Sequence, residues 1–97
     1  MASRIYVVLG RTVCKQRMAR GHTQEQLAEK LDVDRTYVAR IESGRARPGL
    51  LLLNGLCLVL GISPNELFAG QPKSFAEWRH VWEKEKPRRS SESCTCV

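Results

Sequence analysis

Four arginines, at positions 35, 40, 45 and 47, stand close together in a segment that holds a single acidic residue. Arginine presents a planar fork of donors that pairs with phosphate oxygens and with the edge of guanine. The whole chain of 97 residues has a formal net charge of +6 and a pI near 9.6, which favours a polyanionic partner. Charge that serves only solubility is the alternative, so the placement of the arginines has to decide.

Residue sets that would catalyse a reaction or hold a cofactor are missing from the sequence. It contains no Ser-His-Asp set, no carboxylate pair and no glycine-rich phosphate loop, so we expect no enzyme activity and no cofactor. Cys94 and Cys96 with His80 make a poor metal set, because two cysteines one residue apart lack the usual ligand spacing, and no metal is expected. Neither a disulfide scaffold, a signal peptide nor a membrane-length apolar run is evident, which predicts a cytoplasmic protein without membrane contact.

The arginines must be positioned by the segment 23–44, which is predicted to form two short helices and a tight turn. Thr23 and Gln26 form a capping box before the first helix, and Asp34 is the expected N-cap of the second, at about 35–43. Asp32 can adopt left-handed backbone between them. A turn of this length sets two helices at about 90–120°, so the second can bury one face and present the other. The predicted buried residues are Leu27, Ala28, Leu31, Val38 and Ile41.

Further helices are predicted on both sides of this pair. The first runs from about 4 to 20; its apolar run at 5–9 alone would also suit a strand, but the continuation has helical period. An apolar helix at about 50–60 ends at Gly61, and a short one begins after Ser63 with Leu67 and Phe68 facing the core.

A last helix is predicted at 74–86. It begins at a capping box of Ser74 and Glu77, carries Phe75, Trp78 and Trp82 at helical spacing, and stops at Pro87. The polar segment 88–97 is expected to be disordered. The fold class predicted from these patterns is all-α.

The motifs LGRTVCKQR, TQEQLAEKL, VARIESGRARP and LCLVLGISPNELF follow one another from residue 9 to 68. In this order and spacing the chain resembles the phage-repressor-like (Cro/C1, XRE-type) helix-turn-helix transcriptional regulators. The resemblance implies a five-helix lambda-repressor-like DNA-binding domain at 1–70, followed by a C-terminal helical extension at 71–87 and a disordered tail at 88–97. It also implies a sequence-specific regulator, of repressor or controller type, that binds a double-stranded DNA operator with its recognition helix in the major groove.

Roles for individual residues follow from the resemblance. Gln24 matches a glutamine that contacts a phosphate and supports the recognition helix, and Arg17 with Glu42 matches a structural ion pair. Asp32 stands where the family prefers glycine, and Gly49 where it usually has serine. The residues expected to contact base edges are Arg35, Thr36 and Arg40, those expected at the DNA backbone are Tyr37 and Ser43, and those expected at phosphates are Thr23, Arg45 and Arg47.

A homodimer on a palindromic operator is expected, because one such domain covers only a half-site. Aligned to the family, Leu53, Leu56, Cys57 and Leu60 point inward. Leu51, Asn54 and Leu58 then stay outside as a candidate dimer interface. The alternative is a rotated helix in which Leu51 covers the core.

The aromatic stripe of the last helix leaves a second class of function open. Phe75, Trp78 and Trp82 can pack within the chain, extend the dimer, form a ligand-binding aromatic site, or bind a protein partner through the C-terminal helix. In the last case the chain would be a helix-turn-helix protein-interaction module, for example antitoxin-like. The four arginines argue against that reading, and a salt-dependent gel shift would discriminate.

Overall fold

Six α-helices and no strand occur in residues 4–86, the part of the chain that the computed structural model describes. The predicted all-α class, with five helices and an additional C-terminal one, is confirmed. In chain order the helices are α1 (Arg4–Ala19), α2 (Gln24–Leu31), α3 (Arg35–Glu42), α4 (Leu50–Leu60), α5 (Pro64–Leu67) and α6 (Phe75–Glu85).

One apolar core joins α1 to α5. Helices as short as α2 and α3 are marginal alone in water, so they depend on burying their stripes against their neighbours. Both predicted stripes do so, although Leu31 is only partly buried. The largest fully buried side chains are Leu9, Val13, Leu27, Val38, Ile41, Leu56, Leu60 and Leu67.

Local capping explains where most helices begin and end. The Thr23 hydroxyl accepts from the Gln26 backbone N–H at 3.0 Å, and the Gln26 side chain accepts from the Thr23 N–H at 2.9 Å. Ser63 and Glu66 form the same reciprocal box at the start of α5. Gly61 ends α4 in the left-handed conformation, as its position predicts.

Asp34 is the N-cap of α3, as predicted, although its side chain makes no capping hydrogen bond. Two other local expectations were wrong. Phe68 is exposed, because α5 ends at Leu67 and the capping residue leaves the helical path. At α6 the Ser74 hydroxyl accepts from the Glu77 N–H, whereas the Glu77 carboxylate accepts from the N–H of Lys73, so only half of the box forms.

The C-terminal helix α6 rests on the beginning of α1. Its one buried side chain is Val81, and the Glu85 carboxylate accepts a hydrogen bond from the backbone N–H of Arg4 at 3.0 Å. In the loop before α6, the Gln71 side chain donates to the carbonyl of Ile5 at 2.8 Å. The domain boundary at residue 70 stays a prediction.

The aromatic stripe of α6 is exposed instead of buried. Phe75, Trp78 and Trp82 stack on one another with ring centroids 5.5 Å apart, and all three keep substantial contact with solvent. The stop at Pro87 and the tail at 88–97, with Cys94 and Cys96, lie outside the described residues.

Candidate nucleic-acid interface

The face of α3 that points away from the core is polar and basic. Val38 and Ile41 are each 1% exposed and anchor the helix from inside. A helix held at these two positions turns Arg35, Thr36 and Arg40 outward, and all three are exposed. Ala39 between them is small, so the outward face has no bulky apolar group that would keep it from a flat or grooved surface.

α3 lies against α1 at the distance of backbone contact. A Cβ built on Gly10 would stand 2.3 Å from the carbonyl oxygen of Ile41 and 2.6 Å from that of Glu42. Just after α3, Gly44 has φ +82° and packs against the backbone of Val7. The two glycines therefore let the C-terminal end of α3 approach α1 without an intervening side chain.

A polar cluster ties α3 to α1 and α2 beside this contact. The guanidinium of Arg17 donates to both oxygens of Glu42, with Nε–Oε2 at 2.6 Å and Nη2–Oε1 at 3.2 Å. Gln24 Nε2 donates to the same Glu42 Oε1 at 3.0 Å, and Arg17 Nη1 donates to the carbonyl of His22 at 2.7 Å. The ion pair expected between Arg17 and Glu42 is thus present, and it extends to the first residue of α2.

This cluster is largely shielded from water. The side chains of Arg17 and Glu42 are 12% and 7% exposed. The hydrogen bond that Arg17 donates to Glu42 raises the pKa of the Arg17 guanidinium further above its ordinary value, so the guanidinium stays charged. Because Glu42 accepts hydrogen bonds from Arg17 of α1 and Gln24 of α2, the cluster fixes the orientation of α3 relative to those two helices.

The turn between α2 and α3 uses left-handed backbone at Asp32. Its φ and ψ are 57° and 45°, and its N–H bonds the carbonyls of Ala28 and Glu29. Asp32 is the one non-glycine residue with positive φ among residues 4–86. Aspartate tolerates this region better than most side chains, so the departure from glycine keeps the turn geometry.

The structure brings several predicted DNA contacts together at the start of α2. Thr23, Gln24 and Arg35 line one open depression of about 460 Å³, together with Arg17, His22 and Glu25. The Thr23 hydroxyl and the Gln24 amide already serve the helix cap and the Glu42 cluster, respectively. His22 lines the same depression and directly precedes the predicted contact Thr23.

The remaining predicted contacts are spread along the end of α3 and the loop after it. Tyr37 is half-buried against the core, and the Ser43 hydroxyl donates to the Arg40 carbonyl at 3.1 Å. Arg45 is exposed. Arg47 lies apart from the others, with its guanidinium carbon 5.6 Å from the ring centroid of Tyr6.

The residues predicted for the dimer interface lie on the outer surface of α4. Leu51 and Leu58 are 88% and 74% exposed, and Asn54 between them is exposed too. The alternative, a rotated α4 in which Leu51 covers the core, is therefore wrong. Leu50, which was not predicted, is 83% exposed and belongs to the same surface.

The helix-turn-helix segment is part of a region that matches a known protein family. The sequence profile of the helix-turn-helix family matches residues 15–67, from within α1 to the end of α5. The chain belongs to the XRE-type helix-turn-helix family. The matched part of this helix-turn-helix protein contains α2, the turn at Asp32 and α3.

A control protein is among the proteins similar to this helix-turn-helix protein. It is 40% identical over 47 residues to the control protein C.MunI of a Mycoplasma species, a match covering 48% of this chain and 64% of C.MunI. The chain thus spans slightly under two thirds of that relative's length.

Solved structures of controller proteins share its fold. The restriction–modification controller C.AhdI of Aeromonas hydrophila is 36% identical, with a TM-score of 0.62 over 65% of this chain and 96% of C.AhdI. C.Esp1396I, solved as a tetramer with its natural 35 base-pair operator, is 25% identical, with a TM-score of 0.62 over 81% of this chain and 96% of its own.

Within residues 4–86 of the present protein, no helix combines the length and apolarity needed to cross a membrane.

Proposed function

We propose that this protein is a sequence-specific double-stranded DNA-binding transcriptional regulator of the restriction–modification controller type. In this proposal α3 enters the major groove, and two copies bind a palindromic operator. The observation that carries it is the exposed Arg35, Thr36 and Arg40 face of α3, on a helix held from behind by the Glu42 cluster.

The arrangement suits DNA because it separates positioning from base recognition. Phosphate contacts set the register of a protein on the duplex, and contacts to base edges specify the sequence. In the proposal, Gln24 and Thr23 at the start of α2, with Arg45 after α3, supply phosphate contacts, and Tyr37 and Ser43 lie at the DNA backbone. Arg47 joins the phosphate contacts only if its side chain leaves Tyr6.

The similar proteins support the controller type. C.MunI is named a control protein, and C.AhdI is described as a restriction–modification controller. C.Esp1396I was solved on its natural operator. A chain with the same fold and a basic outward face on α3 is suited to the same kind of ligand.

Selection of bound duplexes from random DNA would test this proposal most directly. We expect two inverted half-sites whose centres lie about one helical turn or a multiple apart, because a twofold dimer presents two recognition helices. The affinity should fall steeply with salt, since each neutralised phosphate contributes about −0.9 to the slope of log K against log salt. Selected duplexes without a shared sequence, or an affinity that does not change with salt concentration, would refute the proposal.

Arginine variants then separate the two kinds of contact. Arg40→Ala should lose about 1–3 kcal/mol of discrimination at one base position, as expected for a bidentate contact to guanine. Arg45→Ala should weaken binding to all sequences and reduce the salt slope by about 1. Arg79→Ala is the matched control, because Arg79 is an exposed arginine on α6 that pairs with Glu83. If Arg40→Ala and Arg79→Ala keep the same sequence preference, α3 does not read the bases.

For the dimer, the proposal uses the α4 surface of Leu51, Asn54 and Leu58. Several exposed leucines on one helix face indicate a surface that a partner covers. In a twofold symmetric dimer, the same leucines of both copies would meet at the interface. Leu58→Asp should convert the dimer to monomer in analytical ultracentrifugation. Met18→Asp, at an exposed apolar residue of α1, should leave the dimer intact. A wild-type chain that sediments as a monomer at micromolar concentration would refute this interface.

One observation favours the second candidate function, a protein-interaction module. Trp78 and Trp82 are 39% and 42% exposed, and exposed tryptophans are typical of protein contacts. If this candidate function were correct, the DNA selection would return no consensus sequence. One defined protein would then bind the wild type and the Arg40→Ala variant, but not the Trp82→Ala variant. A protein partner through α6 remains compatible with DNA binding through α3, since the two surfaces use different helices.

A further inference from the structure

A groove of about 360 Å³ lies between α6, the N-terminal turn of α1 and the loop before α4. Its size falls within the range of about 300–1,000 Å³ that is typical of small-molecule sites in proteins. Such sites combine apolar and aromatic walls with a few polar groups that fix orientation. The groove has this composition, and its lining includes Ile5, Tyr6, Arg47, Trp78, Trp82 and Glu85.

Two stacked indoles form one wall of the groove. The rings of Trp78 and Trp82 lie 5.5 Å apart with an interplanar angle of 11°, and the buried Val81 anchors the helix that carries them. Together with Tyr6 they place three aromatic rings around one opening. Burying a further planar ring against them is favourable, since aromatic pairs are stabilised beyond the effect of the area they remove from water.

Arg47 supplies the charge that selects the ligand. Its guanidinium stacks over the ring of Tyr6, and no carboxylate among residues 4–86 lies within ion-pair distance of it. The other charged group of the groove, Glu85, accepts a hydrogen bond from the N–H of Arg4 at the start of α1, where the helix dipole favours an anion. A guanidinium with open donors beside aromatic walls is a site for a carboxylate.

We propose that this groove binds a small planar carboxylate, with its ring against Trp78 and Trp82 and its carboxylate on Arg47. A cationic ligand is disfavoured because Arg47 already occupies the cation position over Tyr6. A neutral ligand of the same shape fills the walls but leaves the guanidinium without an anion. The site shares Arg47 with the proposed phosphate contacts, but it shares none of the residues proposed to contact bases.

The chain contains two tryptophans, both in the groove, so their indole N–H signals report on it directly. The test is a titration of the full-length protein without DNA, followed by ¹H–¹⁵N NMR, with 1-naphthoate and its neutral counterpart 1-naphthamide as probes. We expect 1-naphthoate to shift both indole signals saturably and 1-naphthamide to bind at least tenfold more weakly. Equal affinities for the two probes, or no saturable shift with 1-naphthoate, overturn the proposal.

A pair of arginine variants identifies the anion partner. Arg47→Met keeps an apolar stem and should weaken 1-naphthoate at least tenfold while leaving 1-naphthamide unchanged. Arg11→Met removes the same charge from an exposed position of α1, outside the groove, and should bind 1-naphthoate like the wild type. Equal losses in both variants would mean that the net charge, and not this groove, attracts the probe, and would overturn the proposal. Because no DNA is present, failure of the DNA-binding proposal would leave these results unaffected.

Discussion

Replacing Gly10 by alanine should lower the free energy of unfolding, although alanine is the better helix former. The new Cβ would lie 2.3 Å from the carbonyl oxygen of Ile41 and 2.6 Å from that of Glu42. Close carbon–oxygen contacts in proteins lie at about 3.3–3.6 Å, so the middle of α1 and the C-terminal end of α3 would have to separate by about 1 Å. Both obstructing atoms are backbone atoms, which cannot rotate away as a side chain can.

The size of the effect follows from two opposing contributions. Alanine in a helix interior stabilises by about 0.5–1 kcal/mol relative to glycine. Overpacking a well-packed site costs about 1–3 kcal/mol and occasionally more, and contact with backbone on both helices belongs at the upper end. We therefore expect a net loss of about 2 kcal/mol.

Urea denaturation followed by circular dichroism would measure this loss. With a slope of about 1 kcal/mol per molar, typical of a small chain, the midpoint should fall by about 2 M. Gly55→Ala is the matched control, because Gly55 is also inside a helix but its Cβ would meet only Leu31 Cδ2, at 3.4 Å. That variant should gain about 0.5–1 kcal/mol. A Gly10→Ala midpoint at or above the wild-type value would refute the close approach of α1 and α3.

Three further predictions concern the cluster, the turn and the buried thiol. Arg17→Met should lower the unfolding free energy by about 3 kcal/mol in urea denaturation, because the largely shielded Glu42 carboxylate loses its cation. Arg17→Met/Glu42→Gln should recover part of this loss, and a loss below about 1 kcal/mol for Arg17→Met would mean that the ion pair behaves like a solvent-exposed one. Asp32→Gly should raise the unfolding free energy by about 0.5–1 kcal/mol, because glycine adopts φ 57° without a Cβ penalty, and a fall instead would contradict left-handed backbone there. Burial raises the pKa of the Cys57 thiol, so the unfolded chain loses its proton first and stability should decrease as pH rises through about 8.5. Cys57→Ala should lessen that decrease, and an unchanged pH slope would count against a raised pKa.

The helices could be predicted from the sequence because their signals are local. The Thr23 and Gln26 box, the glycine at 61 and the stripe of Val38 and Ile41 each act within a few residues of the backbone they determine. Asp32 was placed in left-handed backbone for the same reason. For the candidate interface, the pattern of buried residues on α3 was enough to indicate which side chains point outward.

The remaining features depend on contacts between distant segments, which no local pattern specifies. The position of Arg47 over Tyr6 requires the loop after α3 to meet the first turn of α1. The exposure of the aromatic stripe on α6 depends on which side of that helix rests on α1, and Val81 takes the buried place. The carbonyl contact at Gly10 also became visible only once the two backbones were placed together.

The attachment of α6 to the domain has a consequence for hydrogen exchange. Since Val81 is its one buried side chain, opening α6 exposes little apolar surface, whereas opening α3 disrupts the core around Val38 and Ile41. Amide protons of α6 should therefore exchange through local opening, orders of magnitude faster than those of α3, which exchange only when the whole domain unfolds. We therefore expect two levels of protection from amide exchange, a low one in α6 and a high one in α3. The groove beside Trp78 and Trp82 should open at the rate at which α6 opens.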